Sequence, residues 1–519
     1  MSVHLGEVVR RAADRYGDRC AVIDGDRRAS FRDVDERANR FGNAMLAKGL
    51  KPGDRVGLLV GNRLEWFDTT FGLLKAGLVR TYVNPRLSAP EVEYQLTDAD
   101  VMAVVVSEEH AELLDRVALP PGVEVIRTGA AYDDLLLDAD PGSPSPGVDL
   151  DASTVAAIMY SSGTTGRPKG VLQTHGNWLA STTHSLLEVD ISADDVLLHV
   201  GPMSHASGGF TYPFLHRGGT QVLHRGFDPK ALLAELEGHG VTFLLLVPAM
   251  IYMLVDMVKA QAVDLSKLRT ILYGGSPIAP ERLAECLEVI GPVFVQSYGM
   301  TEAVGGDTHL SKADHLLGGA RLSSAGQPSL HVELRIVDED GITVDRGQAG
   351  EILMRGPMVM AGYWRRPVET EAAIDEDGWL HTGDVGYLDD EGYLFIVDRK
   401  NDVIVSGAFN VYPREVEDAL LAHPAVAEAI VVGVPHDGFG ESVHAVVRLA
   451  EHAERPPSDA GDGDLVASLT TWARERLAGF KLPKSFEFVS DPLPRNPAGK
   501  PLRRVVREPH WAGRDRRVG

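Results

Sequence analysis

Cysteine is nearly absent: only Cys20 and Cys286 occur in 519 residues, far apart and outside any CxxC or Cys/His spacing, so neither a disulfide framework nor a cysteine zinc site is indicated. Positive charge is also in deficit, since 51 lysines and arginines face 74 acidic residues and the net charge is −23 at pH 7. A nucleic-acid or anionic-membrane binder needs a dominant cationic surface, so both classes are excluded and only local cationic sites remain. No apolar run is long enough to span a bilayer. The start, MSVHLGEVVRRAADRYGDR, is amphipathic and charged, without an apolar core and small-residue cleavage site. The expectation is a cytoplasmic protein with no membrane anchor. No internal repeat or long low-complexity segment is visible.

What the chain has is length and an alternating pattern. A chain of 519 residues exceeds what one core holds, so at least two domains are expected. Ser30 is placed to cap a helix in which Phe31, Val34, Ala38, Phe41 and Met45 recur at helical spacing, and Gly49 ends it. RVGLLV at 55–60 reads as a buried strand, WFDTTFGLLKAG as a helix, and VMAVVVS at 101–107 as a strand covered on both faces. The fold class is therefore α/β. A Pro/Gly/Ser/Asp-rich stretch at 138–153 reads as a linker into the segment that follows.

That segment is YSSGTTGRPKG, Tyr160–Gly170, slung between the strand patterns VAAIMY and GVLQTH. Glycines let backbone N–H groups turn toward one point. Ser161, Ser162, Thr164 and Thr165 add hydroxyls and Lys169 adds a cation, which together describe a cradle for a polyanionic phosphate. By composition alone a Ser/Gly-rich surface hairpin fits equally. The Walker pattern is not met, because Pro168 precedes the lysine and a strand rather than a helix follows.

The string resembles the phosphate-binding signature of the adenylate-forming superfamily, which includes acyl- and aryl-CoA synthetases, peptide-synthetase adenylation domains and luciferases. Further matches follow in the family's order, and the resemblance runs from near residue 30 to Lys500. It implies that Ser161, Ser162, Gly163, Thr164, Thr165 and Gly166 bind phosphate with Lys169. GPMSHASGGF at 201–210 matches a segment beside the acyl pocket. His205 would then be a wall or substrate contact, although a lone histidine is more often structural. The bulk-free Ser207-Gly208-Gly209 leaves either pocket space or backbone packing. In TILYGGSPIAP, Gly274, Gly275 and Ser276 match a turn where adenine and the substrate carboxylate approach the backbone, and a tight turn needs glycine just as much.

In QSYGMTE the resemblance assigns Tyr298 to stack on adenine, with Gly299 and Met300 beside it, Thr301 to the α-phosphate region and Glu302 to Mg²⁺. A strand ending in these residues puts them at the carboxyl edge of a sheet, where ligands of α/β proteins sit. Asp384 of HTGD and Arg399 of DRKND match ribose contacts. The family implies a large domain over 1–399 and a small mobile α+β domain over 400–519, which alternates between two positions. The usual hinge Asp or Lys is Asn401 here, and the usual second glycine after Gly407 is Ala408. The small domain reads as the helix PREVEDALLAHP, two strands, an acidic loop at 451–464, the helix LTTWARERLAGF and the strand FEFVS. Lys500 in LPRNPAGKPLRR matches the lysine that reaches the carboxylate and α-phosphate. Arg503, Arg504 and Arg507 are expected to be solvated or to attract CoA phosphate.

The resemblance implies an ATP-dependent carboxylate–CoA ligase using ATP, Mg²⁺ and coenzyme A on a small-molecule carboxylic acid, with a homodimer as the family-level assembly. Lys500, Lys169, Thr301, Glu302 and His205 would carry the chemistry. No Ser-His-Asp or Cys-His arrangement is present, in keeping with a reaction that needs no covalent enzyme intermediate. Alternatives are transfer of the adenylate to a carrier-protein thiol, an amine or nitrite, luciferase-like oxygenation, and a binding protein on a dead scaffold. The acid is left between aryl or cinnamic types and medium-to-long alkyl chains.

Overall fold

The computed structural model describes residues 4–161, 168–261, 263–276, 278–406, 409–436, 440–450, 463–495 and 501–512. Two doubly covered sheets form the large N-terminal part. In the nine-stranded sheet the parallel centre runs Phe294–Tyr298, Thr270–Gly274, Phe243–Leu246, Val196–His199, Thr220–Leu223 and Cys20–Asp24, with antiparallel strands at both edges. The seven-stranded sheet centres on Arg55–Leu59 between Val79–Tyr82 and Ala103–Val106, all parallel. Such strands, buried on both faces, are the continuous Val/Ile/Leu runs read in the sequence.

Between these sheets lie the helices Phe31–Ala47 and Leu64–Lys75. Ser30 caps the first with a capping box to Asp33, as its sequence predicts. The second is buried at all twelve positions, polar ones included. A helix apolar on every side is a core helix, and this one also carries charge inward, which fixes its partners. Asp68 receives Arg37, Glu65 receives Arg27, and Lys75 reaches Asp35.

A third, antiparallel sheet of four strands ends with Leu380–Leu388 and Leu394–Arg399. The smaller C-terminal part is a five-stranded sheet built on Val426–His436, Gly440–Leu449 and Ser485–Val489, with the helices Pro413–Leu421 and Gly463–Arg474 packed on one face. The second of these helices begins at Gly463, inside the stretch expected to be loop, and ends at Arg474 rather than Phe480. Its buried positions Leu469 and Ala473 are four apart on one face, and Leu477 continues onto the same core from the turn beyond.

Candidate active site

The strand Phe294–Tyr298 delivers its last residue to the carboxyl edge of the large sheet, and a short turn over Thr301–Ala303 follows. Tyr298 donates its hydroxyl to Asp384 Oδ2 at 2.6 Å. Burial and the Asp384 carboxylate push that phenol well above its ordinary pKa, so it remains a donor. Asp384 comes from the strand Leu380–Leu388 and pairs in register with Arg399 of the neighbouring strand. Arg399 Nε lies 3.5 Å from Asp384 Oδ1. Three residues expected at the nucleoside thus touch one another, although they are up to 101 positions apart in the chain.

Glu302 is 7% exposed, and its Oε1 accepts the Tyr363 hydroxyl at 3.0 Å. Lys169 Nζ sits 4.6 Å from the centre of the same tyrosine ring, held by a cation–π contact. The cation and the carboxylate therefore flank one ring without an ion pair between them. The Gln173 amide donates to the Thr301 carbonyl at 2.8 Å and ties this turn to the strand Gly170–Thr174. That strand pairs antiparallel with Val155–Tyr160, and the Ser161 N–H bonds the Lys169 carbonyl at 3.1 Å, so the two ends of the phosphate-loop candidate meet. Ser162, Gly163, Thr164, Thr165, Gly166, Gly407, Ala408 and Lys500 lie outside the described residues, as does the side chain of Asn401.

Gly274 and Gly275 do different work. A Cβ on Gly274 would stand 2.3 Å from the Ser297 carbonyl oxygen, so close strand packing demands glycine there. Gly275 has φ +76° and faces open space, and Ser276, half-buried, follows it. Gly299 is required by close backbone packing, since a Cβ would stand 2.6 Å from Gly305 Cα and from Gly306 N, and 2.7 Å from Oδ2 of Asp307, a group that motif reading missed. Asp307 is fully buried, and neither carboxylate oxygen has a hydrogen-bonding side chain among the described residues. Burial raises its pKa well above the carboxylate range, opposed by the Met300 N–H. It lies directly under the Tyr298-Gly299-Met300 turn.

His205 is exposed at the start of a short helix, with Ser204 Oγ 3.2 Å from its Nδ1. The turn beneath is fixed by His199, whose two ring nitrogens meet Ser207 Oγ at 2.7 Å and Gln221 Oε1 at 3.0 Å. Burial lowers the His199 pKa to about 4, so it is neutral. Gly208 serves packing, since a Cβ would meet the Met203 carbonyl at 2.0 Å; Gly209 faces Trp178 at ordinary contact distance. Beside this turn opens a cleft of about 350 Å³ lined by Arg63, Arg86, His110, Met203, Ser204 and Arg225.

Of the three C-terminal arginines, Arg504 is solvated as expected, whereas Arg503 and Arg507 differ from expectation. Arg503 is half-buried and enclosed by Glu417 at 2.5 Å, Asp402 at 3.2 Å and Asp398 at 3.4 Å. It is neither solvated nor directed at a ligand phosphate, because three carboxylates from the strand Leu394–Arg399, the turn after it and the helix Pro413–Leu421 converge on it. Arg507 also faces Asp402, at 3.7 Å, and Arg504 pairs with Glu508 on the surface.

The arrangement offers a linked Tyr298–Asp384–Arg399 set, a carboxylate with spare acceptor capacity and a cation over the ring of its tyrosine partner. Glu302 takes a single side-chain hydrogen bond among the described residues, which leaves oxygen lone pairs suited to a hard cation. The profile of the AMP-binding enzyme family matches residues 9–364, and that of the AMP-binding enzyme C-terminal domain matches residues 415–500. A feruloyl-CoA synthase of an Amycolatopsis species is 40% identical over 505 residues, 97% of this chain and 98% of that protein. A medium/long-chain fatty acid–CoA ligase of Mycobacterium tuberculosis is 36% identical over 531 residues, 99% and 92% respectively. The solved structure of o-succinylbenzoate CoA synthetase from Bacillus subtilis, in complex with the acyl-adenylate intermediate, is similar at TM-score 0.84 and 32% identity. That likeness covers 100% of this chain and 99% of that one.

Proposed function

The chain belongs to the AMP-binding enzyme family, and from that premise and its site we propose that it is an ATP-dependent carboxylate–CoA ligase. ATP and the acid give an acyl-adenylate and pyrophosphate, and the CoA thiol then attacks the mixed anhydride and releases AMP. The observation that carries the reading is the meeting of Tyr298, Asp384 and Arg399 with Thr301, Glu302, Tyr363 and Lys169 at one sheet edge.

In this reading Asp384 accepts the ribose hydroxyls and Arg399 steadies it, while Tyr298 presents a ring to adenine beside Gly275. Glu302 would hold Mg²⁺, which when bound neutralises phosphate charge. Lys169 bears on the phosphates from the other side of Tyr363. Lys500 brings a cation to the α-phosphate and carboxylate, where negative charge grows in the transition state. The large domain is taken as 1–399 and the small one as 400–519. Gly407 belongs to the loop serving the second half-reaction. A homodimer and a cytoplasmic location complete the proposal; no described helix is long and apolar enough to cross a membrane.

The acid is proposed to be an aryl-propenoic one, supported by the 40% identical feruloyl-CoA synthase and by the ring of Trp178 facing Gly209. The fatty acid–CoA ligase relative favours a second reading, an alkyl acid. Pyrophosphate release across aryl and alkyl acids, with and without CoA and with mass detection of the thioester, tests both. Sustained turnover that needs CoA and peaks on hydroxycinnamic acids is expected. Turnover independent of CoA overturns the ligase reading, and a peak on alkyl acids overturns only the aryl assignment.

A further inference from the structure

The five-stranded sheet of the C-terminal part has two different faces. Val443, Ala445 and Val447 point into the core under the helices, whereas Val446 packs with Ile430, Val432, Leu493 and Val506 on the other side. Alternation along the strand puts His444 on that second face, under the chain that follows the last strand. Its register partner is Ser485, and Glu487, two residues on, shares the face. The turn Glu508–Trp511 lies across it, anchored by the Trp511 indole donating to the Gly433 carbonyl at 2.9 Å.

We propose that His444, Glu487 and His510 form a binding site for a divalent transition-metal ion of the zinc class. One ligand atom from each residue lies within 4.8 Å of the others. The two imidazole centroids are 4.7 Å apart, and His444 Nε2 is 3.9 Å from Glu487 Oε2. A direct charge-assisted hydrogen bond would close to about 2.8 Å. Two ligands that share an ion about 2.1 Å from each stand about 3–4 Å apart; the His444–Glu487 pair already has this spacing at 3.9 Å, and the exposed His510 ring needs only a small side-chain adjustment within the 4.8 Å cluster to complete it.

The second independent observation is the state of His444 itself. It is 6% exposed, its Nδ1 is engaged with Ser485 Oγ at 2.7 Å, and its buried Nε2 makes no hydrogen bond among the described residues. A ring held from behind at one nitrogen with the other aimed into a cluster is the orientation of a metal-bound histidine. Two imidazoles and one carboxylate suit zinc, cobalt or nickel rather than magnesium or calcium, and leave one position for water. In chain order Glu487 precedes Lys500 and His510 follows it, so a bound ion ties together the two stretches flanking the lysine.

The test is a titration of the chelator-stripped full chain with Co²⁺, read by its visible d–d absorption. One equivalent should give a saturable band that Zn²⁺ displaces. H510A, at an exposed position that leaves the core intact, should weaken binding at least about tenfold, and E487Q should act in the same direction. E302Q, at the candidate nucleotide site, should leave the band unchanged. Absence of a saturable band, or a band kept at parental strength in both H510A and E487Q, overturns the proposal.

Discussion

The helix Leu64–Lys75 and the turn after Tyr298 both hold carboxylates away from water, yet they treat them in opposite ways. In the helix, Asp68 is fully buried and takes Arg37 Nε at 3.0 Å, Nη2 at 2.7 Å and the Tyr132 hydroxyl at 3.2 Å. Lys75 is met at 2.5 Å by Asp35 and at 2.6 Å by Asn39. At the turn, Glu302 takes one hydroxyl, Lys169 contacts the ring of that tyrosine, and Asp307 has no side-chain donor among the described residues. A buried charge whose partners are complete contributes to one packing arrangement. One left short of partners weakens the empty fold and stores affinity for what arrives.

The contrast can be broken most sharply at Lys500. K500A should reduce acid-dependent pyrophosphate release by 10³-fold or more, about 4 kcal/mol of transition-state stabilisation, with no change in melting temperature. An unaltered release rate would remove that lysine from the chemistry. R37A should do the reverse: it strands Asp68 and costs about 3–5 kcal/mol of stability by denaturant unfolding, while the ATP KM of the surviving folded enzyme stays within twofold. E302Q should lower turnover on the order of 10²-fold and raise the Mg²⁺ requirement, and it should leave stability unchanged or improved. If E302Q instead destabilised the chain as R37A does, the two regions would not differ in kind.

The smallest effect concerns Asp307. Its folded pKa is raised by burial, so the folded chain keeps a proton that the unfolded chain releases near pH 4. Stability should therefore fall as pH rises from about 4 toward the raised folded value, and D307N should flatten that slope. Parallel pH–stability curves for parent and D307N would count against it.

Much of this site is legible in the chain because its residues sit in contiguous strings: Tyr298 to Glu302, Asp384 within HTGD, and Arg399 within DRKND. Strand ends and turns are local, so the string and the geometry coincide. Tyr363, Asp307 and His199 escape because each acts on a residue in another segment, and nothing in their own neighbourhood marks them. Tyr363 lies 61 positions from the Glu302 it serves. Arg503 is misread for the same reason, since a basic run looks solvated until the fold brings Asp398, Asp402 and Glu417 to it. The helices and parallel strands were recoverable from periodicity, while the start of Gly463–Arg474 was hidden by an acidic, Gly-rich approach.

Asp398 and Arg399 are consecutive on one strand, and alternation sends them to opposite sides. Arg399 faces Asp384, whereas Asp398 accepts the Arg414 N–H at 2.7 Å and one end of Arg503, both from the C-terminal part. A single peptide unit is thus the transmission between Asp384, the proposed ribose carboxylate, and the smaller part. Any rotation of that part must either break those bonds or twist the strand that carries Arg399, so a movement of the smaller part is felt mechanically at Asp384.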